Sequence, residues 1–102
     1  MVLIYTTCPN TAEAVKLGGE LLSGRLAAAV NLWPMQTMMR ADGGVKSELE
    51  AGMFIKTTEP RITEIETIIE KHRTDKVPYI GAIDIRRFNR PYREWMITVV
   101  KE

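Results

Sequence analysis

The chain has 102 residues, 45% apolar and 26% charged, and its formal net charge is +1. That length predicts a single domain over 1–102 with a real core, and leaves no room for two. The charge balance excludes an overall electrostatic footprint for nucleic acid or anionic membrane. No apolar run approaches the roughly 18 residues of a transmembrane helix, and one cysteine, Cys8, excludes an internal disulfide.

"MVLIYTTCPN" is apolar for only a few residues and lacks a basic start, so it does not read as a signal peptide. With a lone thiol, this predicts a cytoplasmic, reducing location. Within the opening, "VLIYTT" is β-branched and aromatic, a first strand. "PNTAEA" starts a helix: Asn10 can cap it, and Glu13 stands at capping-box spacing. Ala14, Leu17, Leu21 and Leu22 recur at helical spacing as one apolar face. Gly18 lies on that side and suits close helix–sheet packing.

"LAAAVNLW" predicts a second strand, with a bend or sheet edge at Pro34 because proline cannot donate to a ladder. "MQTMMRA" continues it to "DGG" at 42–44, a hairpin signal. "VKSELEAGMFIKT" returns as an antiparallel third strand. "EPRITEIETIIEKH" is the clearest helix, with Ile62, Ile65, Ile69 and His72 on one face. Thr58 is its expected cap, Glu59 suits the positive helix end, and Pro60 is tolerated in the first turn. "VPYIGAIDI" is a fourth strand. "RPYREWMITVV" is a closing helix with Tyr92, Trp95, Met96 and Val99 along one face.

The order β-α-β-β-α-β plus a terminal helix defines the split βαβ, or ferredoxin-like, α+β sandwich. Helices then cover one sheet face. The other is apolar too, since "AVNLW" and "MFI" run nearly continuously. A second copy of the chain is the expected cover.

The candidate sites are few. "FIKTT" joins a strand to a helix, but the glycines of a phosphate loop do not precede it. Lys56 is instead expected to neutralise a carboxylate, with Glu50 on the same side of the strand. His72, the only histidine, needs ligands from distant segments to hold a metal, and Cys8 is the candidate partner. The competing reading has it packed at a helix end, favourable to the dipole. Met35, Met38 and Met39 suggest Cu(I), yet adjacent strand residues point to opposite faces, which favours packing. Glu48 and Glu50 share one strand side. "RRFNRPYR" places four arginines between 86 and 93, a local basic patch. No serine or cysteine sits in a nucleophile motif, and the reading is a binding or structural protein, not an enzyme.

"LGGELLSGRLAAAVNLWP", "IKTTEPR" and "NRPYREW" together resemble the CutA divalent-cation tolerance family. The resemblance runs along almost the whole chain. It takes in "YTTCPN", Arg25 to Ala28, Asn31, Pro34, Gly44, Glu50, Lys56 to Thr58, His72, Pro78, Tyr92 and Trp95. It implies a ferredoxin-like homotrimer linked to metal-ion tolerance, with copper or another divalent cation bound in some members. His72 and Cys8 are then the expected metal ligands. The alternative is a trimeric small-ligand or signalling module with an inter-subunit pocket of Arg25, Glu50 and Lys56. Three places depart from the family pattern. Met38, Arg40 and Asp42 stand where Ser, Tyr and Trp are usual. Ala29 stands where a cysteine is usual. Arg73-Thr74 replaces Pro-Tyr after the histidine, with one residue more before Pro78.

Overall fold

Asn10 sets the first turn of the chain. Its backbone is extended, and its Oδ1 accepts a hydrogen bond from the Glu13 N–H at 2.8 Å, so α1 runs Thr11–Ser23 from that cap. The structure is a computed structural model describing residues Met1–Glu102. Its elements are β1 (Val2–Cys8), α1, β2 (Ala29–Ala41), β3 (Gly44–Thr57), α2 (Ile62–His72), β4 (Ile80–Asp84) and α3 (Arg90–Val99), with a 3₁₀ turn at Glu59–Arg61 before α2. The sheet order is β2-β3-β1-β4, every pair antiparallel, which is the ferredoxin-like arrangement.

Register divides the sheet cleanly because side chains alternate along each strand. One face carries Ile4, Thr6 and Cys8 of β1 and Ala51, Met53 and Ile55 of β3, all buried. Against it pack Ala14, Leu17 and Leu21 of α1 and Ile65 and Ile69 of α2, closing the main core. Gly18 brings α1 close to the sheet: a Cβ there would lie 3.5 Å from Val30 Cγ1. Leu22 leaves the expected face and is 43% exposed.

Pro34 does not interrupt β2. It pairs with Ala51 in unbroken register, and β2 is an edge strand, so its missing N–H costs no ladder bond. Strand β2 starts at Ala29, later than expected. Before it, Arg25 adopts φ +58°, and Leu26 and Ala27 are buried beneath the turn. Asp42 and Gly43 both have positive φ and close the hairpin tightly.

β1 pairs with β3 only from Ala51 to Thr57, whereas β2 pairs with β3 from Gly44 to Lys56. Residues 35–50 therefore form a two-stranded arm beyond the four-stranded sheet, and the molecule measures 48 × 25 × 21 Å. Thr58 does not cap α2 with its side chain; its carbonyl accepts the Arg61 N–H across the 3₁₀ turn instead. α3 stays off the main helical layer. Its Met96, with Val100 beyond it, forms a small core with Ala28, packed by Met1, Phe88 and Tyr92. Trp95, expected on that face, is 44% exposed.

Candidate functional site

The open sheet face carries an apolar surface that none of the helices covers. Tyr5, Trp33, Phe54 and Tyr79 gather there, with ring centroids 5.1 to 6.4 Å apart. Leu3 and Ile83 flank them by register, and Ile83 and Tyr79 are 48% and 63% exposed. Two glycines make room for the rings. The Trp33 indole lies over Gly52, its cross-strand partner, and the Tyr79 ring lies over Gly81. The arm is apolar and exposed as well, at Met38, Val45 and Leu49.

At the root of the arm the same face holds an ion-pair network. Arg73, just past α2, reaches Glu50 with its Nη2 2.5 Å from Oε2, and both side chains are almost wholly buried. Arg73 also donates to Asp75 from Nε at 3.0 Å and to the Thr7 hydroxyl from Nη1 at 3.0 Å. Lys76 bonds Glu48 and lies 3.6 Å from Glu50. Glu48 and Glu50 thus share one strand side, as expected, bridged by a lysine.

The electrostatics follow from this packing. Burial pushes the Glu50 carboxyl up, but the Thr37 hydroxyl, the Arg73 hydrogen bond and the Arg73 and Lys76 charges outweigh it, leaving it below its ordinary value. Burial likewise opposes the charge on Arg73 and on Asp75. Hydrogen bonds to Glu50 and then to Asp75 outweigh it and raise Arg73, and the Arg73 hydrogen bond lowers Asp75. The Lys76 hydrogen bond lowers Glu48 and raises Lys76.

Lys56 does not pair with Glu50. The two stand six residues apart on a regular strand, about 20 Å at the usual rise. Lys56 Nζ instead lies 5.3 Å from the Tyr92 ring centroid. Arg25 donates to the Val99 and Thr98 carbonyls at 3.3 and 3.2 Å, binding the C-terminal end of α3 where a cation is favoured. Arg25 and Lys56 thus serve the α3 end of the protomer and Glu50 the arm end, so one chain does not bring the three together.

Cys8 and His72 line one cavity of about 10 Å³, close to the least a single water needs. The Cys8 thiol is buried and donates toward Met53 Sδ at 3.5 Å. Burial pushes its pKa up, against the lowering charge of Arg73. His72 Nε2 is 2.9 Å from Glu20 Oε1 on α1, an acidic partner far away in sequence. No cluster of three or more His, Cys, Asp or Glu side chains within one chain could hold a metal ion. A protonated thiol facing a thioether and an imidazole tied to a carboxylate do not fit a metal centre inside one protomer.

The residues that the sequence reading missed are Arg73, Asp75 and Lys76. One signal was available: Glu50 abuts the apolar run from Ala51 to Ile55, so a buried carboxylate there requires a cation. Nothing local in the sequence says which one.

A four-stranded βαββαβ sheet with helices on one face and an aromatic second face defines a ferredoxin-like α+β protein with an open sheet side. The family described as CutA1 divalent ion tolerance protein matches residues 2–99, and the chain belongs to that family. The divalent-cation tolerance protein CutA of Thermococcus kodakarensis is 37% identical over 100 residues, covering 97% of this chain and 95% of its own length. That of Pyrococcus horikoshii is 31% identical over the full length of both. The crystal structure of Pyrococcus horikoshii CutA1 superposes with a TM-score of 0.93 at 30% identity, covering both chains fully. The crystal structure of CutA1 from Oryza sativa gives 0.94 at 28%, covering 99% of this chain and 94% of that one. The Archaeoglobus fulgidus structure, described as a periplasmic divalent cation tolerance protein, gives 0.93 at 28%, covering 99% and 100%.

Proposed function

We propose that this chain serves in the response to divalent metal ions as a homotrimer in which each copy covers the open sheet face of another. The observation that carries the assembly is the ring cluster of Tyr5, Trp33, Phe54 and Tyr79, packed on glycines and left without a helix. An apolar patch of this kind on a soluble chain marks an interface. Light scattering after size exclusion tests it. About three times the 11.6 kDa chain mass is expected, and a stable monomer at micromolar concentration overturns it.

The metal role rests on family membership, and any copper or other divalent cation takes donors from more than one subunit. Binding at micromolar strength or weaker, dependent on His72, is the expectation for Cu(II). A titration of the parent and His72→Ala at pH 7 checks it; a nanomolar site overturns the expected strength, and one untouched by the substitution removes His72 from the ligand set.

This reading makes the protein a binding module and not an enzyme, which its buried single thiol supports. The alternative inter-subunit pocket of Arg25, Glu50 and Lys56 requires Arg25 to leave α3 and Glu50 to leave Arg73. No helix is long and apolar enough to cross a membrane. A buried free thiol suits the cytoplasm, and cell fractionation distinguishes it from the periplasm.

A further inference from the structure

The arginine-rich "RRFNRPYR" segment has no part in the open sheet face or the Glu50 network. It forms one wall of a cavity of about 510 Å³, a size typical of small-molecule sites. The cavity lies between Met1, the turn at Thr58 and Pro60, the loop from Ile85 to Phe88, and one side of α3. Its floor is apolar, made by Met96 and Val100, both buried, with Phe88 and Ile85 beside them. Its rim is cationic, made by Arg86, Arg93 and Lys101, with Glu102 the one acid.

The cations are unequally engaged. Lys101 Nζ lies 3.6 Å from Glu64. Arg86 and Arg93 take part in none of the chain's ion pairs. The Arg93 guanidinium stacks over Phe88, 5.0 Å from its centroid, which directs a charged, planar donor group along the apolar floor. In a chain of net charge +1, two unpaired guanidiniums beside an apolar hollow are a local concentration of positive charge.

We propose that this cavity binds a small amphipathic monoanion, a carboxylate with an apolar tail. The tail lies on Met96, Val100 and Phe88, and the head group accepts hydrogen bonds from Arg86 and Arg93, whose planar forks match a carboxylate. Glu102 at the rim opposes a second negative charge and so favours a monoanion. The site is distinct from the Arg25, Glu50 and Lys56 set and requires no metal.

Sodium octanoate is the probe, with acetate, octan-1-ol and octylammonium as comparisons, titrated by calorimetry and by amide-shift mapping. Octanoate is expected to saturate at one per chain, each comparison binding at least about tenfold more weakly. Shifts should fall on Phe88, Met96, Ile97 and Val100. Arg86→Gln with Arg93→Gln should reduce octanoate affinity at least about tenfold, and each exposed arginine alone should reduce it severalfold. Ile97→Trp, at an exposed wall position, should obstruct the cavity and weaken octanoate while the fold persists. Octanol binding as tightly as octanoate, affinity unchanged in the double variant, or shifts confined to Tyr5, Trp33 and Phe54 would each overturn the proposal. So would absence of saturation at ten millimolar.

Discussion

The Trp33 indole rests on Gly52: a methyl group built at that glycine would meet ring Cζ2 at 2.5 Å and Nε1 at 2.9 Å. The two residues are cross-strand partners in β2 and β3. Gly52→Ala should therefore lift the ring off the sheet. Crowding of this kind costs about 1–3 kcal/mol. The measurement is denaturant unfolding at fixed protein concentration, together with Trp33 fluorescence. An unchanged emission maximum and unchanged stability would contradict the packing.

The Arg73–Glu50 pair is buried on both sides, with side chains 3% and 4% exposed. Removing one partner leaves the other charge buried with only part of its pairing, Arg73 keeping Asp75 and Glu50 keeping Lys76, at a cost of up to about 3–5 kcal/mol. Glu50→Met is expected to fall in that range. The double change Glu50→Met with Arg73→Met should recover at least half the loss, because it removes both desolvated charges. Additive losses in the double variant would show that the pair is not a unit.

Acid stability follows from the same network. The folded carboxyls of Glu50 and Asp75 lie below their ordinary values, so the folded state binds protons less readily than the unfolded one. Their contribution is complete above the ordinary carboxylate pKa of about 4 and is lost as pH falls through the depressed folded values. Arg73 and Lys76 are raised, so their contribution is complete below their ordinary values and is lost only at strongly alkaline pH. Unfolding free energy should be level from pH 8 to 5 and drop below about 4. In Glu50→Met with Arg73→Met the acid limb should be shallower.

The buried Cys8 thiol is held protonated beyond its ordinary range. A disulfide reagent at pH 8 should label it at least about a hundredfold more slowly in the folded protein than in denaturant. Rapid labelling of the native protein would place Cys8 at the surface.

Lys56 tests the corrected partner. It is half-buried over Tyr92 with no carboxylate bound, so Lys56→Met should cost less than about 1 kcal/mol. A larger loss would restore the buried-pair expectation for this residue.

Period and punctuation made the elements legible. Asn10 and Glu13 announced α1, the isoleucines at 62, 65 and 69 announced α2, and Asp42-Gly43 announced the hairpin, because each signal is local. The partner of Glu50 was not legible, since Arg73 lies 23 residues away and is brought in only by the return of the chain after α2. His72 and Glu20, 52 residues apart, meet for the same reason. The glycines under Trp33 and Tyr79 lie inside the expected strands, and nothing local shows that a ring rests on either. The displacement of α3 from the helical layer was hidden too, because its apolar face suits any surface that Ala28 and Met1 provide.

The arm of residues 35–50 has a consequence for how the chain opens. Every backbone bond there is shared between two strands alone, and an isolated pair of strands is barely stable in water. In a solitary protomer its amide protons should exchange with solvent by fraying from Asp42 inward, while those of residues 51–57, clamped by β1, wait for global unfolding. A neighbouring copy lying against the arm would slow its exchange toward the pace of the core. The position along β3 where protection rises then reports, amide by amide, how far another subunit reaches.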